Sequence, residues 1–348
     1  MHPRGLDLAG YTTLRLGGPA QRVLVAAAES EIKQITADSG IERNRLLILA
    51  GGSNVVIADA GFDGTAVLIR TTGVDVRRVD ESVEVTVQAG EPWEPFVERA
   101  VADGWSGVEC LSGIPGSTGA TPMQNVGAYG QEVADVIAGV RVLDRATGDV
   151  GWRTPAECHF GYRSSVFRST DRWIVLAVTF RLSVSRQSAP IRYPELAAAL
   201  DVPIGERVDT VAVRDAVLRL RAGKGMVLDP ADRDTFSAGS FFMNPVLAGA
   251  DFDAVVARAA DIGAPPAFPG PDGTVKTSAA WLIEKAGFKK GYGSSRIAIS
   301  TKHTLALTNR GGGTTAELLA LARDIRDGVD DRFGIVLRPE PTLVNCAL

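Results

Sequence analysis

The chain has 348 residues, which at roughly 150 per domain predicts two to three domains and ample length for real hydrophobic cores. Hydrophobic residues make up 45% and charged residues 22%, so the composition excludes a disordered chain. Lys plus Arg number 37 against 41 Asp plus Glu, a formal charge of −4 that leaves no large positive field for nucleic acid or anionic lipid.

No nucleic-acid or membrane partner is therefore expected. Cys110, Cys158 and Cys346 are odd in number and far apart, which fits reduced thiols and neither a disulfide framework nor a metal site. Met1–Gly5 is not followed by an apolar segment of signal-peptide kind, and no apolar run is long enough to span a bilayer, so a cytoplasmic protein is expected. Glycine, at 38 residues, is in excess of its usual share and is the compositional feature to explain.

In chain order, Leu46 to Leu49 and Ala66 to Ile69 are short apolar strands, and Val83, Val85 and Val87 alternate with polar residues as a half-buried strand. Pro92 opens a helix with Trp93, Phe96, Val97, Ala100 and Val101 on one side. Val140 to Leu143, the turn at Thr147-Gly148-Asp149, and Val150 to Trp152 predict a hairpin, with a longer strand from Trp173 to Leu182. A Pro- and Gly-punctuated stretch from Ser185 to Gly205 holds Tyr193. Thr210 is then placed to cap a connecting helix that ends near Ala222-Gly223. Helices are predicted over 251–262, 279–286 and Ala316 to Gly328, and strands at Leu305 to Thr308 and Ile335 to Leu337. The pattern is α+β.

The glycines fall in clusters. A cluster lets the backbone approach a ligand and aim several N–H groups at one anion, so a near-neutral protein can still bind a pyrophosphate. Ala50-Gly51-Gly52-Ser53-Asn54 follows a strand, and Ser112 to Ala120 packs glycines and hydroxyls more densely than one turn needs, with tight turns between strands as the alternative for both. Gly311-Gly312-Gly313-Thr314-Thr315-Ala316 meets the dinucleotide-fingerprint spacing. Thr314 with Glu317 three residues on, however, makes a capping box that explains the helix start without a cofactor. No P-loop motif occurs.

Ser240, between Gly239 and two phenylalanines, carries a hydroxyl expected to be partly shielded from water, but no Gly-x-Ser-x-Gly elbow accompanies it and only His159 and His303 could serve as a base. His159 reads as structural, whereas His303 beside Lys302 suits a surface or an anion. Glu340 is bracketed by Pro339 and Pro341, which hold its carboxyl group in one place. Arg163 is a candidate bidentate carboxylate clamp, with an ordinary surface arginine as the alternative. Arg221 and Lys224 close the predicted connector helix and read equally as solvated charges.

Taken in order, these segments resemble the UDP-N-acetylenolpyruvoylglucosamine reductase (MurB) family from end to end. The resemblance is carried by Thr13 to Ala20, Ala50 to Asn54, Ser112 to Gly116, Gln124 to Gly130, Tyr162 to Phe167, Gly239 to Phe242 with Asn244-Pro245, and Pro339-Glu340-Pro341. It implies an FAD-binding fold of the vanillyl-alcohol-oxidase (PCMH) type in two subdomains plus a C-terminal α+β substrate-binding domain. The implied boundaries are 1–70 completed by 338–348, 71–225 with a lid loop at 185–205, and 226–337. Non-covalent FAD is implied at Ala50, Gly51, Gly52, Ser53, Asn54, Val55, Ile114, Pro115, Gly116, Ala120, Gln124, Gly127, Ala128 and Gly130. The substrate contacts implied are Tyr129, Tyr193, Arg221, Lys224, Asn244 and His303. Met243 departs from the family pattern, since many members carry lysine there.

The implied reaction passes hydride from NADPH through the flavin to the enolpyruvyl methylene carbon of a UDP-sugar, giving UDP-N-acetylmuramate, with NADPH using the substrate's own pocket in alternation. Arg163 and Glu340 match the pair that holds the carboxylate-derived dianion, and Ser240 matches the proton donor to the adjacent carbon. An ionised Glu340 would repel that dianion, so it is expected to work protonated. A monomer without a metal is expected. The rivals are another flavoenzyme of this fold, against which the Gly-Ser-Phe-Phe and Pro-Glu-Pro segments argue, and a non-enzymatic nucleotide-sugar binder.

Overall fold

The computed structural model describes residues 6–38 and 40–348, so the N-terminal reading of Met1–Gly5 lies outside the described residues. The chain divides into two compact units, one comprising Met1–Leu6, Ala20–Gly52 and Phe62–Val227, the other Asp7–Pro19, Ser53–Gly61 and Leu228–Leu348. No helix among the described residues is long and apolar enough to cross a membrane.

The first unit is built on two sheets. Pro19–Ala26, Phe62–Ile69 and Leu46–Leu49 pair in parallel. An antiparallel sheet runs in the order Val150–Arg153, Ile137–Asp144, Trp173–Val184, Ser82–Gln88 and Val74–Val79. The expected alternation holds in Ser82–Gln88, where Val83, Val85 and Val87 are buried and the residues between them are partly exposed. That buried face meets the helix Trp93–Ala102, whose Trp93 and Phe96 rings pack on Phe180 at 5.6 and 5.3 Å between centroids. The helix is thus held mainly by apolar burial, at about 1.5–3 kcal/mol for each large side chain.

The helix Thr210–Gly223 is capped by Asp209, which accepts from Val211 and Ala212 N–H, and not by Thr210 as expected. Both residue types cap well, but Thr210 is fully buried in the first turn. The stretch 185–205 is more ordered in pattern than a loop. Ser188 and Ile191 N–H donate to Val208 and Glu206 carbonyls, and Pro194–Leu200 is helical.

In the second unit, Ser237–Ser240, Ala306–Asn309 and Ile297–Ile299 form an antiparallel sheet, and the helix Thr315–Phe333 packs Leu318, Ala322, Ile325 and Val329 into the core. That helix does not stop at Gly328 as expected. Gly328 is there because the Phe288 ring lies 2.6 Å from where its Cβ would be, and the stop is Gly334 at φ 69°. The expected strand at Ile335 to Leu337 is absent, since the segment finds no strand partner. The terminal strand is Thr342–Val344, parallel to Val55–Ile57.

Candidate functional site

In the first unit two glycine segments meet backbone to backbone. A Cβ on Gly51 would lie 2.5 Å from Gly116 Cα and 3.1 Å from Ser117 N, so neither loop could sit there with a side chain at Gly51. Gly52, Gly113 and Gly116 all have positive φ, which glycine adopts without penalty. In the same loop Thr118 Oγ1 is buried with no hydrogen-bond partner, an orphaned hydroxyl that a bound polar group would satisfy. Two touching small-residue backbones and an unanswered buried hydroxyl suit the phosphate-bearing, flat cofactor expected at Ala50–Gly52, Ile114–Gly116 and Ala120. The unit division falls inside the first motif, so Ser53, Asn54 and Val55 belong to the second unit.

The segment from Gln124 to Gly130 is a tight hairpin. Gly127-Ala128 pairs with Gln131-Glu132, leaving Tyr129 and Gly130 as a two-residue loop with φ of 49° and 84°. Such a turn normally takes Asn, Asp or Gly at its first corner, so a tyrosine held there is a backbone cost kept for its side chain. Arg163 shows the same thing, at φ 50° in the turn Gly161–Ser164. Its Nη2 donates to Gly127 carbonyl oxygen at 3.1 Å, and Asn125 Nδ2 donates to Gly161 carbonyl oxygen at 3.2 Å, so the two turns are laced together. A Cβ on Gly127 would come 3.5 Å from Arg163 Nη1 and 2.8 Å from Glu132 Cγ, which accounts for glycine there.

Tyr129 and Tyr193 pack edge to face at 5.4 Å, and Lys224 Nζ lies 5.5 Å from the Tyr129 ring while pairing with Glu195. Burial raises both tyrosine pKa values. Three of the expected substrate contacts are thus gathered in one place. Arg221 donates from Nη2 to Met226 and Gly113 carbonyls at 2.8 and 3.3 Å, and its buried Nε has no partner. Burial draws its pKa down to about 10, so it remains cationic at neutral pH.

In the second unit Ser240 ends its strand. The register pairs Ser237 with Thr308 and Ser240 with Ala306, so this strand carries one extra residue, a β-bulge that includes Gly239 at φ 75°. Bulges re-aim side chains beside active sites. Phe241 and Phe242 are buried behind Ser240, and Phe241 carbonyl oxygen accepts from Glu340 N–H at 2.8 Å. Two residues further on, Thr342 N–H donates to Asn54 carbonyl oxygen at 3.0 Å. Ser240, Glu340 and Asn54, far apart in sequence, therefore lie on neighbouring backbone segments.

Asn244 commits Oδ1 to Ala279 N–H at 2.9 Å, at the start of the helix Ala279–Lys285. His303 sits in the turn that leads to Ala306, and His159 ends a short helix in a left-handed cap. The three cysteines are free thiols, and burial pushes Cys158 up to about 11, which removes thiolate chemistry there near neutral pH.

The third glycine cluster is a helix start. Thr314 Oγ1 accepts from Glu317 N–H, Asn309 Oδ1 accepts from Gly311 and Gly313 N–H, and the Asp59 carboxylate accepts from Thr315 and Ala316 N–H at 2.7 and 2.8 Å. The position that a phosphate would take is filled by a carboxylate of the chain itself. Asp59 was invisible as a capping partner in the sequence because it lies 256 residues from Thr315.

Comparison with known proteins agrees with this geometry. A family model for an FAD binding domain matches residues 20–152, and one for the C-terminal domain of UDP-N-acetylenolpyruvoylglucosamine reductase matches residues 229–344. The chain is 59% identical over 353 residues to UDP-N-acetylenolpyruvoylglucosamine reductase of Salinispora arenicola, covering 100% of this chain and 97% of that one. It is 53% identical to the enzyme of the same name from Thermobifida fusca, covering 99% and 98%. The crystal structure of the Thermus caldophilus reductase superposes with a TM-score of 0.66 over 97% of each chain at 24% identity, which shows the shared fold. The fold is an α+β FAD-binding fold with a C-terminal α+β domain. The chain belongs to the UDP-N-acetylenolpyruvoylglucosamine reductase family, the FAD-dependent oxidoreductases of peptidoglycan precursor synthesis.

Proposed function

We propose that this enzyme uses NADPH to reduce the enolpyruvyl ether of UDP-N-acetylglucosamine enolpyruvate to the lactyl ether, giving UDP-N-acetylmuramate, with Ser240 as the proton donor. The observation that carries the reading is the convergence of Ser240, Glu340 and Asn54 on adjoining segments over a buried phenylalanine pair. FAD, when bound, supplies the hydride relay between NADPH and the methylene carbon of the substrate.

The chain's own residues do the rest. Hydride arrival at the methylene carbon leaves an electron pair on the neighbouring carbon, delocalised into the substrate carboxylate. Arg163 holds that carboxylate with its guanidinium fork, and a protonated Glu340 donates to it without adding charge. Fixed donors aimed at developing charge are worth about a hundredfold or more in rate each. Ser240 Oγ gives its proton to the carbanionic carbon, forming the C–H bond, and regains a proton from solvent. A serine is a weak acid, but a carbanion is basic enough to take its proton. Its half-buried place at the end of a bulged strand, beside the buried Phe241 and Phe242 rings, supports a hydroxyl held in a fixed direction.

Tyr129, Tyr193 and Lys224 bind the nucleotide sugar, with Asn244, His303 and Arg221 as further contacts. Lys224 supplies the cation that Met243 does not. The cofactor contacts are Ala50 to Val55, Ile114 to Gly116, Ala120, Gln124, Gly127, Ala128 and Gly130, and the enzyme works as a cytoplasmic monomer.

The test is direct: a yellow preparation mixed with NADPH and the enolpyruvyl nucleotide sugar is expected to yield NADP+ and the lactyl product in equal amounts. A preparation that consumes NADPH without forming that product, or that binds the sugar without reducing it, would sink the reading.

A further inference from the structure

The turn that precedes the partner strand of Ser240 is pinned from outside by carboxylates that the reaction does not use. Asp234 lies six residues before Ser240, in the short helical turn that leads into its strand, with a side chain only 10% exposed. Its Oδ2 accepts from Ser300 Oγ at 2.9 Å, from Thr301 N–H at 2.9 Å and from Thr301 Oγ1 at 2.7 Å. Ser300 is fully buried, and the same Oγ accepts from Lys302 and His303 N–H at 3.0 and 3.1 Å. The Asp232 carboxylate pairs with Lys302, and Glu284 accepts from Thr304 Oγ1.

The turn closes on the strand that carries Ser240. Ser300 N–H donates to Ala306 carbonyl oxygen, Ala306 N–H donates to His303 carbonyl oxygen, and Phe241 N–H donates to Leu305 carbonyl oxygen at 2.7 Å. Ala306 is the register partner of Ser240. One carboxylate at the entrance of the Ser240 strand therefore grips the turn at the entrance of the opposite strand. The bulge lies between Ser237 and Ser240, so the regular ladder is interrupted just before Ser240 and the grip adds a second hold on the strand pair.

We propose that Asp234 is a positioning residue for proton delivery, acting through Ser300 and the 300–304 turn to hold Ser240 and His303 in place. The proposal rests on the reading of Ser240 as proton donor. A misplacement of about 1 Å can cost on the order of a hundredfold in rate, so the carboxylate's effect falls on the rate of the protonation step and not on folding alone.

The experiment uses the flavin-loaded enzyme, chemically reduced and mixed with the enolpyruvyl nucleotide sugar in single turnover, for wild type, Asp234→Ala, Asp234→Asn, Ser300→Ala and Ser240→Ala. A single-turnover rate constant is unaffected by how much of the sample is folded. Asp234→Ala and Ser300→Ala are expected to slow reoxidation by about ten- to a hundredfold and to enlarge the solvent deuterium isotope effect. Asp234→Asn, which keeps an acceptor oxygen, is expected to recover most of the rate. Amide hydrogen exchange at Lys302 and His303 is expected to quicken in both alanine variants, a readout independent of activity. Faster exchange with an unchanged rate and isotope effect would overturn the proposal while leaving Ser240 as donor. A Ser240→Ala variant as fast as wild type would overturn both. If Asp234→Ala fails to fold, Ser300→Ala and Asp234→Asn decide the matter by the same criteria.

Discussion

Two glycine clusters that look alike in sequence are built in different ways. At Gly51 and Gly116 the backbones touch, a Cβ would strike backbone atoms, and the nearby Thr118 hydroxyl has no partner. At Gly311 to Gly313 the N–H groups of Gly311 and Gly313 are answered by Asn309 and those of the following turn by Asp59, and a capping box starts the helix. The better match to the dinucleotide spacing is the cluster whose helix-start N–H groups are taken by side chains of the chain, whereas in the Ser112–Ala120 loop the unanswered group is the Thr118 hydroxyl. Spacing records where the backbone can bend; whether its donors remain for a ligand depends on residues hundreds of positions away.

The contrast is breakable by substitution, beginning with the largest effect. Gly51→Ala forces a methyl group against Gly116 Cα at 2.5 Å, and overpacking of this kind costs about 1–3 kcal/mol. The purified variant is expected to carry little flavin, read from its visible absorbance; full yellow occupancy would contradict the role given to that approach. Gly239→Ala meets nothing within 4 Å, so its cost of about 1–2 kcal/mol comes from the left-handed backbone alone. Flavin content should stay whole while product formation falls, and Gly239→Asn should be milder because asparagine tolerates that conformation. A Gly239→Ala enzyme at wild-type rate would mean the bulge does not aim Ser240.

Smaller effects belong to the third cluster. Thr314→Ala removes a helix cap and should lower stability by about 1 kcal/mol in denaturant titration without loss of flavin. Asp59→Asn removes a negative charge from the N-terminus of the helix Thr315–Phe333 and should cost about 0.3–1 kcal/mol. Flavin loss in either variant would give a cofactor role to the helix start that the Asp59 carboxylate caps.

Much of this was legible because it was local. The alternation of Val83, Val85 and Val87, the hairpin at 140–152 and the Thr314–Glu317 box each depend on residues within a few positions, and each forms as expected. Errors arose where tertiary packing overrode a local signal. Gly328 looked like a stop but admits the Phe288 ring, and Asp209 won the cap from an adjacent threonine that burial had already claimed. Ile335 to Leu337 had strand composition and no strand to pair with.

The site divides in the same way. Ser240, Glu340 and Arg163 were candidates by their neighbours in sequence, and only the family resemblance gave them roles. The strained corners at Tyr129 and Arg163, the bulge at Gly239 and the grip of Asp234 on Ser300 were not readable, because each needs backbone angles or a partner from a distant segment. A tyrosine followed by glycine between two short extended pairs was the one local hint of the Tyr129 turn.

Whether Ser240 gives the proton is decided by separating the two half-reactions of Ser240→Ala in stopped flow. Flavin reduction by NADPH is expected to stay close to wild type, and reoxidation by the enolpyruvyl sugar to slow by about 10²–10⁴-fold, the usual worth of a general acid. Equal losses in both halves, or no loss in the second, would contradict it.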